Sequence, residues 1–400
     1  MDLALSAEQA ALKDLVAQFA DREIAPYAAA WDRAEEVDRA LVPRLGDLGV
    51  LGLTVPEEYG GSGGDFFTYA LAVEELGRAD SAVRGIVSVT LGLVAKSVQR
   101  WGTEQQKLAW LPRLCSGSAL GCFALTEPGT GSDAANLTLR AVRDGGDWLV
   151  SGTKMFITNG TWAQVALVFA RTGEPGHRGI TAFLVPLEDE AAAQNPTGAA
   201  SPGADAPGVT RKTIHGKLGL RGQATAELVF DAVRVPDSAR LGPEGQGFKV
   251  AMTALAKGRI SVAAGCVGIA EAALRLAVRH ATEREQFGAA IASRQLVQEL
   301  ISDIAVDVDA ARMLVWRAAD LVDRGLDFDR ESSVAKLFAS EAAVRAANNA
   351  LQVFGGYGYI DEYPVGKLVR DARVMTLYEG TSQIQKLLIG RAHTGVSAFA

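Results

Sequence analysis

Four short stretches of this chain carry residue types that could do chemistry together. In Leu125-Thr126-Glu127-Pro128-Gly129-Thr130-Gly131-Ser132-Asp133, glycines expose backbone N–H groups while Thr126 and Ser132 add hydroxyls. Such a loop can hold a flavin edge and a pyrophosphate without a basic residue, although an ordinary glycine turn has the same composition. Met155-Phe156-Ile157-Thr158-Asn159-Gly160 sets an aromatic ring two residues before a hydroxyl. That pair could stack on an isoalloxazine and bond its edge, or Phe156 could be a core residue ending a strand. Glu283-Arg284-Glu285-Gln286-Phe287-Gly288 puts an arginine where a helix ends; it could reach a phosphate or cap a solvated helix. In Arg373-Val374-Met375-Thr376-Leu377-Tyr378-Glu379-Gly380-Thr381-Ser382-Gln383-Ile384-Gln385, a glutamate sits on a turn that starts a helix. There it could act as a general base or favour the helix N-terminus electrostatically.

The elements that must position these residues follow from periodicity. Residues 1–120 predict a helical domain. Ser6 and Gln9 form a capping box ahead of Leu12, Leu15, Val16 and Phe19 at helical spacing, and Thr103 and Gln106 form a second before a run ending near Pro112. Residues 121–240 change character: Leu137, Leu139 and Ala141 alternate with polar residues, Asp144-Gly145-Gly146-Asp147 is a turn, Trp148 begins a return strand, and Val165–Ala170, Ile180–Val185 and Glu227–Val235 are further strand candidates. This predicts an antiparallel, barrel-like β-domain. Within it, the Ala-, Gly- and Pro-rich stretch Asp189 to Pro207 is expected to be a mobile loop. From 241 to 400 the helical period returns in segments near Gly247–Arg284 and Ser293–Arg324, long enough for a four-helix bundle. The fold class is therefore mainly α with a middle β-domain. No GxGxxG follows a strand, so a Rossmann route to a dinucleotide is not supported.

At 400 residues the chain exceeds what one hydrophobic core usually serves, which implies two or three domains. Its 48% hydrophobic and 22% charged residues are ordinary for a globular protein. With a net charge of -7 and scattered Lys and Arg, no basic face for nucleic acid is expected. The opening MDLALSAEQAALKDL turns polar too early for a signal peptide. Ile260 to Val278 is interrupted by Glu271 and Arg275, as a buried helix would be and a membrane span would not. Cys115, Cys122 and Cys266 lack CxxC spacing, pointing to a reducing, cytoplasmic setting. His177, His215, His280 and His393 are too scattered to argue a metal site.

Together, LTEPGTGSD, FITNG, ERxxFG, FGGYGY and YEGTSQIQ resemble the acyl-CoA dehydrogenase family, in order and over essentially the whole chain, with a short-chain-like character. The resemblance implies a homotetramer that binds FAD near its subunit interfaces and desaturates an acyl thioester of CoA or acyl carrier protein. Electrons would pass to an electron-transfer flavoprotein. It implies that Glu379 takes the α-proton, with the thioester carbonyl held by the base's own backbone N–H and a ribityl hydroxyl. Thr126, Ser132, Phe156 and Thr158 match flavin and pyrophosphate contacts, with Phe156 where many members have Trp. Arg284, Phe287, Gln295, Gln352 and Gly356 match contacts to the ADP half bound by a neighbouring subunit. Thr381 and Gln383 match flavin contacts, while Arg259, Tyr378 and Gly380 fall beside the substrate.

Some members place the base next to the arginine matching Arg259; here that place is Gly258. Ala256 stands where an aspartate often helps bind pantetheine. Asp80-Ser81-Ala82-Val83-Arg84-Gly85-Ile86-Val87-Ser88 resembles the glutaryl-CoA dehydrogenase branch. There the residues matching Arg84 and Ser88 hold a distal carboxylate, but Gly77 and Gly85 replace a glutamate and a serine of that site. An oxidase or desulfinase on the same fold, or a helical scaffold without cofactor, are the competing readings.

Overall fold

The computed structural model describes residues 4–188 and 204–398. Helices come first: α1 (Ala7–Glu23), α2 (Ala28–Ala34), α3 (Leu41–Asp47), α4 (Phe66–Ala79), α5 (Ser81–Val87), α6 (Lys96–Trp101) and α7 (Glu104–Cys115). Between α5 and α6 the helix continues through Ser88–Ala95 in wider, π-type turns. Both capping boxes form, at Ser6 with Gln9 and at Thr103 with Gln106. In α1, Val16 and Ala20 are buried whereas Leu15 is half exposed, since adjacent helical residues point about 100° apart. Helix α7 does not stop near Pro112 but runs through it to Cys115.

The strands are β1 (Gly121–Ala124), β2 (Arg140–Asp144), β3 (Asp147–Thr158), β4 (Val165–Arg171), β5 (Ile180–Pro186), β6 (Val209–Thr213) and β7 (Thr225–Pro236). They form one curled sheet in the order β1-β4-β2-β3-β7-β6, with β5 paired to β4. The expected antiparallel sheet is in fact mixed: β1 runs parallel to β4, and β2 meets β4 in parallel at Arg140 and Arg171. The reason is topological. The β2–β3 hairpin lies between β1 and β4 in the chain, and such an intervening connection allows parallel pairing that a tight turn forbids. Of the loop expected over Asp189–Pro207, residues 189–203 lie outside the described residues. At its far edge Ala206 donates its N–H to Leu187, and Asp205 accepts from Arg211.

After the sheet come α8 (Gly247–Glu283), α9 (Gln295–Asp323), α10 (Asp329–Phe354), α11 (Val365–Met375) and α12 (Ser382–Thr394). The expected four-helix bundle is thus built of three long helices in mutual contact, with α11 and α12 laid against α10. Helix α4 also packs on α8 and α9. The α4–α8 crossing is close because glycines form it: a Cβ at Gly77 would lie 2.8 Å from the Gly265 carbonyl oxygen. Position 77 therefore has no room for the glutamate of the glutaryl-type pattern.

Buried charges tie these layers together. Asp80 caps α5 by accepting from Ala82 N–H at 2.5 Å, and its carboxylate also lies 3.1 Å from the Lys367 ammonium. Lys367 bonds Asp371 at 2.6 Å, and Asp371 accepts the Leu220 N–H from the β6–β7 connection. In the sheet, Lys154 on β3 pairs with Glu127 at 2.8 Å, both side chains almost wholly buried. Glu127 also accepts from Thr138 and Leu139 N–H, so it ties the glycine loop to the chain entering β2 as well as to β3. Replacing Lys154 by Met should leave Glu127 as an uncompensated buried charge and cost about 3–5 kcal/mol. Thermal unfolding checks this; an unchanged melting temperature would show that the pair does not hold the loop.

Candidate active site

Helix α11 ends at Met375, and the chain turns through Tyr378, Glu379 and Gly380 before Thr381 caps α12 by accepting the Ile384 N–H. Glu379 and Gly380 are both left-handed, at φ +50° and +87°. For a glutamate this conformation is unfavourable and persists only when neighbours enforce it. They do: Gln385 Nε2 donates to the Glu379 and Gly380 carbonyls at 3.1 and 3.0 Å, and Lys336 Nζ donates to the Gly380 carbonyl at 2.8 Å. The turn aims the Glu379 side chain at α8, where a Cβ on Gly258 would collide with its Oε2. Only a residue without a side chain leaves room there. Oε2 is buried and has no hydrogen-bond partner.

Charge surrounds this carboxylate. Burial pushes the Glu379 pKa up, and the cations Arg84, Lys336 and Arg259 pull it down; burial prevails. Arg84, 1% exposed, donates from Nη2 to the Tyr378 hydroxyl at 2.5 Å and from Nη1 to Ser88 Oγ at 3.3 Å. Ser88 continues to Ser261 and Tyr69 through contacts of 2.9 Å each. Arg84 Nε and Arg259 Nε are both buried and unpartnered. The expected substrate-side set of Glu379, Tyr378, Gly380, Arg84, Ser88 and Arg259 is therefore gathered around the Glu379 turn. Val89, Leu93 and Ala254 form a small apolar cluster beside it, separate from the main core. A carboxylate free to accept a proton, next to an apolar wall, can act as a general base on a hydrocarbon substrate.

A second group lies on the sheet. The backbone N–H of Met155 donates to the Thr126 carbonyl, so the glycine loop and the end of β3 share one surface. The β3–β7 register shifts between Lys154 and Ile157, and in that bulge Phe156 takes φ +60° and is 66% exposed. It is thus no core phenylalanine; the bulge turns its ring outward. Thr126 and Thr158 are half-buried and Ser132 is exposed. Thr158 donates to Gln223 Oε1 at 3.3 Å, and the Gln223 amide nitrogen lies where a Cβ on Gly85 would be.

The remaining candidates are elsewhere. Arg284 ends α8 and stacks over Tyr357 at 5.2 Å, beside an open depression of about 450 Å³ lined by His280, Arg284, Phe354 and Gly356. Phe287 is 93% exposed, and Gln295 and Gln352 are exposed as well. At 1.5 Å per residue, the helical run from Gly258 to Arg284 separates this depression from Glu379 by roughly 39 Å along α8. Gln383 is exposed on the first turn of α12. Sequence reasoning missed Lys336, Gln223 and Gln385. Lys336 carried a usable signal, a lysine at helical spacing with Ala339 and Ala343, both buried; Gln223 carried none.

This arrangement has counterparts of known activity. The chain matches the N-terminal domain of acyl-CoA dehydrogenase over residues 6–118, its middle domain over 122–233 and its C-terminal domain over 245–394. It is 44% identical over 385 residues to an acyl-CoA dehydrogenase of Bacillus subtilis (strain 168), covering 96% of this chain and 97% of that one. Butyryl-CoA dehydrogenase from Megasphaera elsdenii superimposes with a TM-score of 0.91 at 39% identity, over 98% of this chain and 100% of the other. A glutaryl-CoA dehydrogenase from Mycobacterium smegmatis in complex with FADH2 gives 0.90 at 35%, over 99% and 97%. The chain belongs to the acyl-CoA dehydrogenase family and is an oxidoreductase that dehydrogenates acyl-CoA.

Proposed function

We propose that Glu379 is the base that removes the α-proton of a short acyl-CoA, where the turn before α12 faces α5 and α8. The observation that carries this reading is the buried, unpartnered Oε2 over Gly258. No second carboxylate competes there, because a side chain at 258 would occupy the same space. Desolvation raises the basicity of Glu379, and the surrounding cations favour the negative charge that develops on the substrate carbonyl.

The residues present fit FAD. An outward-facing Phe156, the Thr158 hydroxyl and a loop whose Gly129 and Gly131 meet no neighbouring atom form an open, polar-edged surface. Thr126, Ser132, Phe156 and Thr158 would hold the flavin end, with Thr381 and Gln383 at its edge. When bound, the cofactor supplies a hydride acceptor for the substrate's Cβ. Arg284, Phe287, Gln295, Gln352 and Gly356 would hold the ADP half. They lie too far along α8 to serve the same cofactor as Glu379 of their own chain. This supports an assembly, a homotetramer in our reading, in which each copy completes a neighbour's site. An electron-transfer flavoprotein as acceptor and a cytoplasmic location complete the proposal; the free, buried cysteines fit the latter.

One observation favours a second reading of the substrate. Arg84 is a buried guanidinium with no carboxylate at ion-pair distance among the described residues, a costly arrangement unless an anion arrives. Gln223 brings an amide to Gly85, where the glutaryl-type serine is missing. An acyl group with a distal carboxylate would satisfy both.

Glu379→Gln should retain cofactor and bind butyryl-CoA but lose α-proton exchange and flavin reduction by roughly 10²–10⁴-fold; near-normal bleaching of the flavin would sink the assignment. Arg284→Ala should lower FAD content and oligomer stability together, through linkage of binding to assembly. A fully flavinylated monomer, seen by light scattering, would contradict the shared site. In a Glu379→Gln background, where thioesters bind without turnover, Arg84→Gln should weaken glutaryl-CoA by roughly 2–5 kcal/mol more than butyryl-CoA. Equal losses would mean that Arg84 serves only Tyr378 and the base.

A further inference from the structure

Two buried lysines of this chain come with carboxylates: Lys154 with Glu127 at 2.8 Å, and Lys367 with Asp371 at 2.6 Å and Asp80 at 3.1 Å. Lys336 does not. It is fully buried on α10, and among the described residues no carboxylate lies within ion-pair distance of its Nζ. The ammonium donates instead to the Gly380 carbonyl, at 2.8 Å. An unpaired cation in a core is expensive, and a methionine would fill the space without that cost. What the lysine adds is a donor and a charge, and both point at the turn that carries Glu379.

We propose that Lys336 is a positioning residue for the base. Its ammonium clamps the Gly380 carbonyl, so that the left-handed Glu379–Gly380 turn keeps its shape, and its charge keeps the Glu379 carboxylate ionised until the α-proton arrives. The inference rests on Glu379 being the base. Gln385 holds the same carbonyl from α12, but without charge. Arg84 also lowers the basicity of the carboxylate, but it reaches the turn through the Tyr378 side chain; Lys336 combines its charge with a hydrogen bond to the turn's own backbone.

The surrounding groups fix the sign of the pH effect. Arg84 from α5, Arg259 from α8 and Lys336 from α10 each favour the ionised carboxylate. Tyr69 from α4 and the adjacent Tyr378 also face it, and burial holds both phenols neutral, Tyr378 at about 12. Lys336 in turn faces Cys266, whose thiol burial pushes up to about 12, together with Arg259 and Glu341. Burial lowers the Lys336 amine to about 8, so it still carries its charge at neutral pH. Loss of that charge leaves Glu379 protonated to a higher pH, and the acid limb of the rate profile must move up.

The test uses the flavinylated holoenzyme with butyryl-CoA. Exchange of the α-protons with D2O, followed by NMR, and flavin reduction are measured against pH. Lys336→Met should slow exchange by roughly 10–100-fold, on the scale of a misplaced catalytic group, with KM nearly unchanged. Its acid limb should rise by about one unit, as for loss of a neighbouring opposite charge. Lys336→Gln, which keeps a donor but no charge, should recover part of the rate and retain the raised limb. A variant that loses thermal stability or FAD but keeps the wild-type pH profile would overturn the proposal and leave Lys336 structural. If Lys336→Met does not assemble, the limb of Lys336→Gln decides alone. Glu379→Gln, measured separately, distinguishes the failures: if it exchanges protons normally, the base assignment falls, whatever Lys336 does.

Discussion

Glu379 is a carboxylate taken out of water, with one oxygen left without a partner, and the surrounding architecture makes that state tolerable. Burial alone would protonate such a group. Here three cations from three different helices, Arg84, Arg259 and Lys336, offset the desolvation, although burial still keeps the carboxylate more basic than usual. A carboxylate in this condition is held between two tendencies, desolvation that makes it more basic and cations that favour its charge.

Shape matters as much as charge. The carboxylate can lie over α8 only because Gly258 has no side chain, and Arg84 can lie along the same helix only because Gly265 has none. The same stretch of α8 meets α4 through Gly77, Gly265 and Gly268. Close packing of backbone on backbone therefore draws the N-terminal helices and α8 together at the point where the substrate-side residues converge. The cluster of Asp80, Lys367, Asp371 and the Leu220 N–H then fixes the start of α5 relative to the sheet and to α11. Arg84 lies on α5 and Glu379 follows α11, two elements joined through this cluster.

The long helix α8 also divides the chemistry. Glu379 meets it near its beginning and Arg284 lies just past its end. Exposed residues such as Phe287 and Leu296, together with the depression under Tyr357, lie at the far end. Within a single copy, Glu379 and Arg284 lie at opposite ends of one helix, with exposed apolar residues near the latter.

Much of this was legible in the amino-acid sequence. The strands over Val165–Arg171 and Ile180–Pro186 stand within one residue of the expected Val165–Ala170 and Ile180–Val185, and both capping boxes form. Short-range rules suffice there, because a cap or an alternating strand is decided by residues a few positions apart. The stretches around Thr126, Phe156 and Glu379 were legible as motifs for the same reason, whereas the bulge that turns Phe156 outward appears only in the fold. The parallel pairing of β1 with β4 was not legible, since it depends on which strand the hairpin inserts beside. Nor were Lys336 and Gln223: a lysine in a helix and a glutamine in a loop become significant only when folding sets them against Gly380 and Gly85, respectively. Local sequence determined the elements and the reactive residue types. Tertiary structure alone decided which buried charges face one another, because electrostatic and steric coupling act through space across hundreds of residues of chain.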